Sequence, residues 1–240
     1  MPDVLAKPRP KRRAKEAGPA VVETRPAVTG LKRLLAASCK GGVGKTGLAR
    51  NIAVAAAQDG LRVIIIDTDE QRNIGDWLGV RPEAAKQVTP IAHVEADLND
   101  IDRVLSEHND YDLMIIDTPT AIEQNPAAVQ QILLASDFVL VPTGTSKDDI
   151  NSVSRWMRHV REQEVPCAYV LNRVRRNVGS LLRAKLTLQD SGRLCPFDIP
   201  LTEDFVTAGD NGLSVLELRN GAGSEEIRGL WKFIRAEMGL

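Results

Sequence analysis

The sequence Cys39-Lys40-Gly41-Gly42-Val43-Gly44-Lys45-Thr46 decides the fold that we predict for this chain. An apolar run, residues 34–37, precedes it, and a segment with helical spacing of apolar residues begins near Gly47. Strand, glycine-rich loop and helix in this order are typical of a phosphate-binding loop, in which backbone N–H groups and the helix dipole face an anion. Lys45 is then placed to reach the β and γ phosphates of a nucleotide, and the Thr46 hydroxyl to contact Mg²⁺. The alternative is a glycine turn with two solvated lysines.

Two further apolar runs end in acidic residues. Residues 62–67 form a nearly continuous β-branched run that ends in Asp67, and residues 111–117 form a run that ends in Asp117. Such runs are typical of strands that are buried on both faces of a parallel sheet. Because ligands bind at the carboxyl ends of parallel strands, we expect both carboxylates to lie beside the phosphate loop.

The remaining pattern completes an α/β chain. Further strands are predicted at residues 138–142 and 168–173, and helices at residues 98–105, 147–163 and 224–238. Between residues 77 and 95 the pattern is weak and indicates a short helix and a short edge strand. The predicted fold class is therefore α/β, a P-loop NTPase with a mostly parallel twisted sheet that is flanked by helices on both faces.

Charge divides the chain into two parts. Residues 1–33 contain nine Lys or Arg and three Asp or Glu, so the rest of the chain has a net charge of −7. We predict a disordered, basic, Pro-rich arm at residues 1–30 and one P-loop NTPase domain at residues 31–240. Such an arm either lies on nucleic acid or only aids solubility.

The lengths of the apolar runs and the spacing of the cysteines indicate the cellular compartment of the protein. No apolar run reaches the roughly 18 residues of a membrane-spanning helix, and no secretion signal is expected. The three cysteines, Cys39, Cys167 and Cys195, are widely spaced and odd in number, which favours reduced thiols and a cytoplasmic protein.

Three motifs carry a resemblance to a known family. Residues 40–46, KGGVGKT, resemble the deviant Walker A motif of the ParA/MinD family of ATPases. Residues 67–73, DTDEQRN, are similar to the D-x-D-x-Q switch segment of that family, and residues 111–119 to its Walker B strand, which is followed by D-T-P. The chain looks most similar to the small ParA-type partition ATPases, which are ParF-like.

The resemblance implies roles for individual residues. Lys40 would be catalytic by reaching across a dimer to the nucleotide of the partner subunit, and Asp69 by positioning the attacking water. Mg²⁺ would be held by Thr46, Asp67 and Asp117, directly or through water. Asn172, at the end of a predicted strand, would contact adenine, because an amide offers both a donor and an acceptor; a strand-end Asn is also a common turn residue. The full nucleotide-binding set would be Lys40, Gly41, Gly42, Val43, Gly44, Lys45, Thr46, Gly47 and Asn172.

Basic residues are dense after the last predicted strand. The resemblance implies that they bind DNA without sequence preference, through phosphate contacts. The alternative is that they are spread over solvated helix faces. The candidate DNA-binding residues are Arg173, Arg175, Arg176, Arg183 and Lys185.

Two positions depart from the family pattern. The family usually has proline where this chain has Glu70, which affects the rigidity of the switch but not its carboxylates. It usually has a second Thr or Ser where this chain has Gly47, so a side-chain contact to the α-phosphate is missing. We therefore expect weakened nucleotide affinity without loss of binding.

The function implied by the resemblance is that of a partition or positioning ATPase with ATP and Mg²⁺ as cofactors. It would form a homodimer on Mg-ATP, bind nucleoid DNA non-specifically and respond to a cargo-bound, ParB-like adaptor, thereby segregating a plasmid or other DNA element. Alternatives are an ATPase that positions a protein cargo, an amide-forming ligase or a reductase of the same fold, and a MinD-like membrane-associated positioner. Residues 224–238 would anchor such a positioner, although their apolar spacing favours packing on the core.

Overall fold

The computed structural model describes residues 30–81, 90–120, 122–176 and 178–240. The predicted N-terminal arm lies outside the described residues, apart from Gly30 at its end. In the described ranges the chain forms a layered α/β structure, as its alternating strand and helix patterns predict.

Six parallel strands form the central sheet in the order β3-β2-β4-β1-β5-β6. The central strands β2 and β4 are buried at every residue, which explains their continuous runs of Ile, Val, Leu and Met. The weakly patterned β3 lies at the edge of the sheet, as expected for a half-buried strand. The strands are β1 Lys32–Ala36, β2 Val63–Asp67, β3 Ile91–Glu95, β4 Leu113–Asp117, β5 Phe138–Thr143 and β6 Cys167–Leu171.

Helices cover both faces of the sheet. Apolar residues of α1, α2 and α8 pack in the core on one face, and those of α3, α4, α5 and α6 pack on the other. The predicted fold class is confirmed. The helices are α1 Lys45–Gln58, α2 Asn73–Gly79, α3 Ile101–Glu107, α4 Pro126–Ala135, α5 Lys147–Glu162, α6 Gly179–Ser191, α7 Glu203–Asp210 and α8 Ser224–Met238.

The apolar side of α8 belongs to the core. Ile227, Leu230, Trp231 and Ile234 are buried, and the indole N–H of Trp231 donates to Asp59 just after α1 at 2.7 Å. The interpretation of this helix as a packed element is therefore confirmed, and its apolar face is not available to a membrane. In the described ranges, no helix is long and apolar enough to cross a bilayer.

The register of the sheet brings the two strand-end acids together. Asp67 of β2 pairs with Asp117 of β4, and Ala36 of β1 pairs with the same Asp117. The phosphate loop leaves the sheet just after Ala36, so the loop and both carboxylates lie at one edge of the sheet. This edge is where parallel α/β sheets bind ligands.

Candidate nucleotide-binding site

The glycine-rich loop has the backbone geometry of a phosphate cradle. Gly42 and Gly44 have φ values of 74° and 84°, in the left-handed region that glycine adopts without strain. Gly44 is also the N-cap of α1, and no side chain caps this helix. Uncapped N–H groups at a helix N-terminus, together with the helix dipole, form a site for an anion.

A second constraint also requires glycine at position 44: close contact with a distant segment of the chain leaves no space for a Cβ atom. A Cβ atom at this position would lie 2.5 Å from Nδ2 of Asn172, well inside van der Waals contact. Asn172 donates a hydrogen bond to the Val43 carbonyl oxygen at 2.7 Å, and Arg173 donates to the Gly42 carbonyl oxygen at 2.8 Å. The loop is therefore braced by the end of β6, which reaches it from about 130 residues further along the chain.

A cavity of about 660 Å³ opens beside the loop. This volume is within the usual range of about 300–1,000 Å³ for small-molecule sites. Lys45, Thr46 and Gly47 line one side, Asp69 and Gln71 of the switch segment line another, and the segment from Pro200 to Leu213 closes the far side. The predicted loop, switch and strand-end residues thus meet around one space.

The two buried carboxylates differ in their hydrogen bonds. Asp67 accepts backbone N–H groups from Asp69 and Ile74, both at 3.1 Å, so each of its oxygens is satisfied. In the described part of the chain, neither oxygen of Asp117 has a hydrogen-bond partner, although both are buried. The Thr46 hydroxyl interacts with Asp117 and lowers the pKa of its carboxyl group.

An orphaned buried carboxylate is costly unless a further group satisfies it. Mg²⁺ prefers carboxylate and hydroxyl oxygens together with retained waters. The orphaned oxygens of Asp117, with Thr46 opposite and Asp67 in register beside it, therefore fit a magnesium ion. The predicted donor set is brought together, and its role as a magnesium site stays a prediction.

The electrostatics of the site follow from its burial. Burial raises the pKa of Asp117 to about 7, and the neighbouring charge of Asp67 raises it too, whereas Thr46 and Lys45 lower it. Burial likewise raises the pKa of Asp67, against its two backbone hydrogen bonds. A cation that binds here would favour the ionised form of both groups.

The two predicted catalytic residues lie in different places. Asp69 is half-buried, lines the cavity, and accepts a hydrogen bond from the backbone N–H of Gln71 at 3.0 Å. Lys40 is not among the described residues that line the cavity of its own chain. Its Nζ lies 3.5 Å from Oδ1 of Asp149 on α5, and 41% of its side chain is exposed.

The predicted DNA-binding residues do not form one free basic patch. Arg173 contacts the phosphate loop, Arg176 forms an ion pair with Glu226, and Lys185 forms one with Asp198. Arg175 and Arg183 are exposed, and in the described ranges no ion pair neutralises either of them. Fewer of the candidate residues therefore carry an unpaired positive charge than the sequence indicates.

Two adjacent polar residues of α1 were not singled out as functional from the sequence. Asn51 accepts hydrogen bonds from the Ser214 hydroxyl and the Val215 N–H, at 2.7 and 3.1 Å, and thereby holds the far wall of the cavity to α1. Arg50 lines the cavity one helical turn after Thr46. The available signal was their polarity, since they interrupt an otherwise apolar helix pattern.

Comparison with protein families gives one match that covers most of the chain. A family described as "CobQ/CobB/MinD/ParA nucleotide binding domain" matches residues 34–215. Among individual proteins, the chain is 29% identical over 208 residues to "Maintenance of carboxysome distribution protein A" of Gloeobacter kilaueensis. That similarity covers 83% of this chain and 90% of the relative.

Two solved structures show the same fold. One is a putative plasmid partition protein from Borrelia burgdorferi bound to AMPPNP, with a TM-score of 0.69, 19% identity, and coverage of 85% of this chain and 99% of that one. The other is the septum site-determining protein MinD from Pyrococcus horikoshii complexed with Mg-ADP, with a TM-score of 0.66, 16% identity, and coverage of 85% and 96%.

Proposed function

The chain belongs to the CobQ/CobB/MinD/ParA nucleotide-binding family and is an ATPase of the ParA/MinD type, and from this premise we propose that it is a DNA-partition ATPase. It dimerises on Mg-ATP, binds nucleoid DNA without sequence preference, and is stimulated by an adaptor that is bound to its cargo. The observation that carries the proposal is the position of Lys40. This lysine is the first residue of the loop motif at residues 40–46 but does not line the cavity of its own chain, and a second subunit can meet it there.

The residues around the cavity have separate roles in ATP hydrolysis. The loop N–H groups and Lys45 hold the phosphates, and Asn172 and Arg173 keep the loop in the conformation that this requires. Asp117 and Thr46 would hold Mg²⁺, which neutralises charge on the β and γ phosphate oxygens when bound. Asp69 orients a water molecule toward the γ-phosphate, since this residue lines the same cavity.

Lys40 acts on the nucleotide of the partner subunit. An arginine that is supplied in trans accelerates phosphoryl transfer by about 10³–10⁵, and a lysine in this position supplies the same kind of charge. We expect Lys40→Ala to keep binding ATP but to lose dimerisation on Mg-ATP and at least about 10² of stimulated turnover. Sedimentation velocity and a phosphate-release assay measure the two effects.

The matched control is Lys147→Ala, which removes an exposed lysine from the first turn of α5. It should dimerise and turn over like the unmodified protein. If Lys40→Ala behaves like this control, Lys40 does not act in trans and the proposed mechanism is wrong.

The DNA-binding part of the proposal rests on Arg175 and Arg183. Both are exposed and unpaired in the described ranges, whereas the other candidates are engaged. The double variant Arg175→Ala/Arg183→Ala should weaken binding to unrelated duplexes alike and reduce the salt dependence by about two phosphate contacts. Fluorescence anisotropy in Mg-ATP at several salt concentrations measures this. Arg103→Ala, on α3, is the control, and a loss confined to one DNA sequence would contradict the assignment.

A protein cargo is the second candidate. It is favoured by the relative from Gloeobacter kilaueensis, which is named for maintenance of carboxysome distribution and is covered over 90% of its length. Deletion of the gene distinguishes the two candidates in the cell. Loss of a DNA element over generations supports partition, whereas clustering of a protein assembly with unchanged DNA inheritance supports a protein cargo.

A further inference from the structure

Two cavities adjoin each other beside the start of the phosphate loop. The first has a volume of about 460 Å³ and lies between α4 and α5, and its size is within the usual range for small-molecule sites. The second has a volume of about 710 Å³ and lies between α5 and Lys40. Ser152 and Arg155 line both cavities, so we treat the two as one site and call it the α5 groove.

The first cavity has mostly apolar walls. Pro126 and Val129 of α4 line it, together with Cys39, whose Sγ lies 3.1 Å from the hydroxyl oxygen of Ser152. Trp156 of α5 also lines it and is 6% exposed, and its indole N–H is buried without a hydrogen-bond partner in the described ranges. An apolar body therefore fits this cavity, and an acceptor oxygen that reaches the indole N–H would satisfy that donor.

The second cavity carries positive charge. Lys40, Arg155 and Arg158 line it. Among the residues that the structure describes, Asp148 is the one acid that lines it as well. Both arginines are exposed, and within the same part of the chain neither forms an ion pair or a hydrogen bond. Guanidinium groups bind carboxylates through two parallel N–H···O bonds, so this cavity favours an anionic head group.

We propose that the α5 groove binds a small amphipathic carboxylate, whose apolar body lies between α4 and α5 and whose head group pairs with Arg155. An amphipathic cation would meet like charges beside the apolar cavity, and an inorganic anion would leave the apolar walls uncovered. Selectivity depends on Arg155, because it alone among the lysines and arginines of the described ranges lines both cavities.

Occupancy of the α5 groove also affects Lys40, because this lysine lines the positively charged cavity. A carboxylate there attracts Lys40 and holds it on its own chain, against its approach to the nucleotide of a partner subunit. The ligand should therefore oppose dimerisation on Mg-ATP. This effect rests on the proposed function, whereas the ligand site itself does not.

The first experiment is calorimetry of the nucleotide-free protein with 4-phenylbutyrate and with 4-phenylbutyramide, which has the same apolar body without the charge. The unmodified protein should bind the acid about three- to tenfold more tightly than the amide, since the ion pair is partly exposed. Arg155→Ala should lose most of this preference, and Arg155→Lys, which keeps the charge but not the fork, should retain part of it.

The matched control is Arg161→Ala, which removes an exposed arginine of the same helix that lines neither cavity. It should keep the full preference for the acid. The ligand site is overturned if the acid does not bind at millimolar concentration, if acid and amide bind equally, or if the preference survives Arg155→Ala. Because Arg155 is exposed, its replacement leaves the core packing intact.

The second experiment locates the ligand through the thiol of Cys39. Saturating 4-phenylbutyrate should slow the labelling of Cys39 by a thiol reagent several-fold, as measured by peptide mass spectrometry, and should leave Cys167 unaffected. Cys167 is the internal control, because it is also partly exposed but does not line either cavity. Unchanged labelling of Cys39 would place the ligand elsewhere and overturn the assignment of the α5 groove.

The third experiment is sedimentation velocity in Mg-ATP with each compound. The acid should lower the dimer fraction of the unmodified protein, whereas the amide should have little effect and Arg155→Ala should respond weakly to both. Binding of the acid without any change in the dimer fraction would overturn the effect on Lys40. If no dimer forms even without the acid, the proposed function fails together with that effect, and calorimetry still decides the ligand site.

Discussion

Replacing Gly47 tests how the phosphate loop grips its ligand. Gly47 is the third residue of α1, lines the cavity and is exposed, and a Cβ atom added to it meets nothing within 4 Å. A side chain therefore fits without displacing any neighbour. The contact between the Gly47 carbonyl oxygen and Asn51, at 2.7 Å, involves only the backbone of residue 47 and is kept.

The expected size of the effect has two parts. A glycine inside a helix costs about 0.5–1 kcal/mol relative to alanine, so Gly47→Ala should raise the free energy of unfolding by up to this amount. Gly47→Ser should gain less stability, because serine is a weaker helix former. Its hydroxyl, however, can donate a hydrogen bond to a charged phosphate oxygen, which contributes about 1–2 kcal/mol and tightens nucleotide binding about five- to thirtyfold.

Calorimetry with Mg-ADP and urea denaturation measure the two parts separately. Gly47→Ala is the matched control, since it carries the Cβ atom and the helix preference without the hydroxyl. We expect only Gly47→Ser to bind Mg-ADP more tightly. Equal affinities of Gly47→Ser and Gly47→Ala would refute the reasoning, because the hydroxyl would then have no phosphate within reach.

Three further predictions concern single groups. Burial raises the pKa of Asp117 to about 7, so the ionised, metal-binding form of this carboxyl group increases as the pH rises, and Mg-ADP affinity should be about tenfold greater at pH 8 than at pH 6. The free energy of unfolding of the nucleotide-free protein should instead fall from about pH 4 to 7, because the folded state holds the Asp117 proton more tightly than the unfolded chain does. Asp117→Asn should remove both pH dependences. Gly212→Ala should lower the free energy of unfolding, measured by urea denaturation, by about 2–4 kcal/mol, since φ is 66° and the Cβ atom would lie 2.5 Å from the backbone of Arg81. Gly60→Ala is the control: φ is 89° but the space around it is open, so the loss should be about 1 kcal/mol. Similar losses for the two variants would exclude the clash with Arg81. Burial raises the pKa of Cys195 to about 11, so a disulfide reagent at pH 8 should label at most two of the three thiols before denaturation; rapid labelling of all three would contradict its burial.

Much of the site could be predicted from the sequence because its signals are local. Glycine spacing, the lysine and threonine at the helix start, and apolar runs that end in Asp67 and Asp117 each depend on a few neighbouring residues. The parallel order of the strands then places both acids at the edge where the loop lies, as the register confirms. The apolar spacing of α8 likewise indicated a packed helix, and its buried face confirms this.

The partners of the charged and amide side chains could not be predicted. Arg173, which is predicted to contact DNA, hydrogen-bonds to the Gly42 carbonyl oxygen, and Arg176 forms an ion pair with a glutamate 50 residues away. Periodicity shows which side of a helix is apolar, but not which distant side chain a polar residue meets, because that depends on how the elements pack.

The sequence was therefore sufficient for the fold class, for the phosphate loop and for the edge of the sheet at which its ligand should bind. The folded chain assigned the other contacts: Asn172 and Arg173 to the loop, and Arg50 to the backbone carbonyl oxygen of Asn73. The physical reason is the distance along the sequence over which each feature is determined. Backbone conformation and burial are specified by neighbouring residues, whereas hydrogen bonds and ion pairs between distant segments exist only after the hydrophobic cores on both faces of the sheet have brought those segments together.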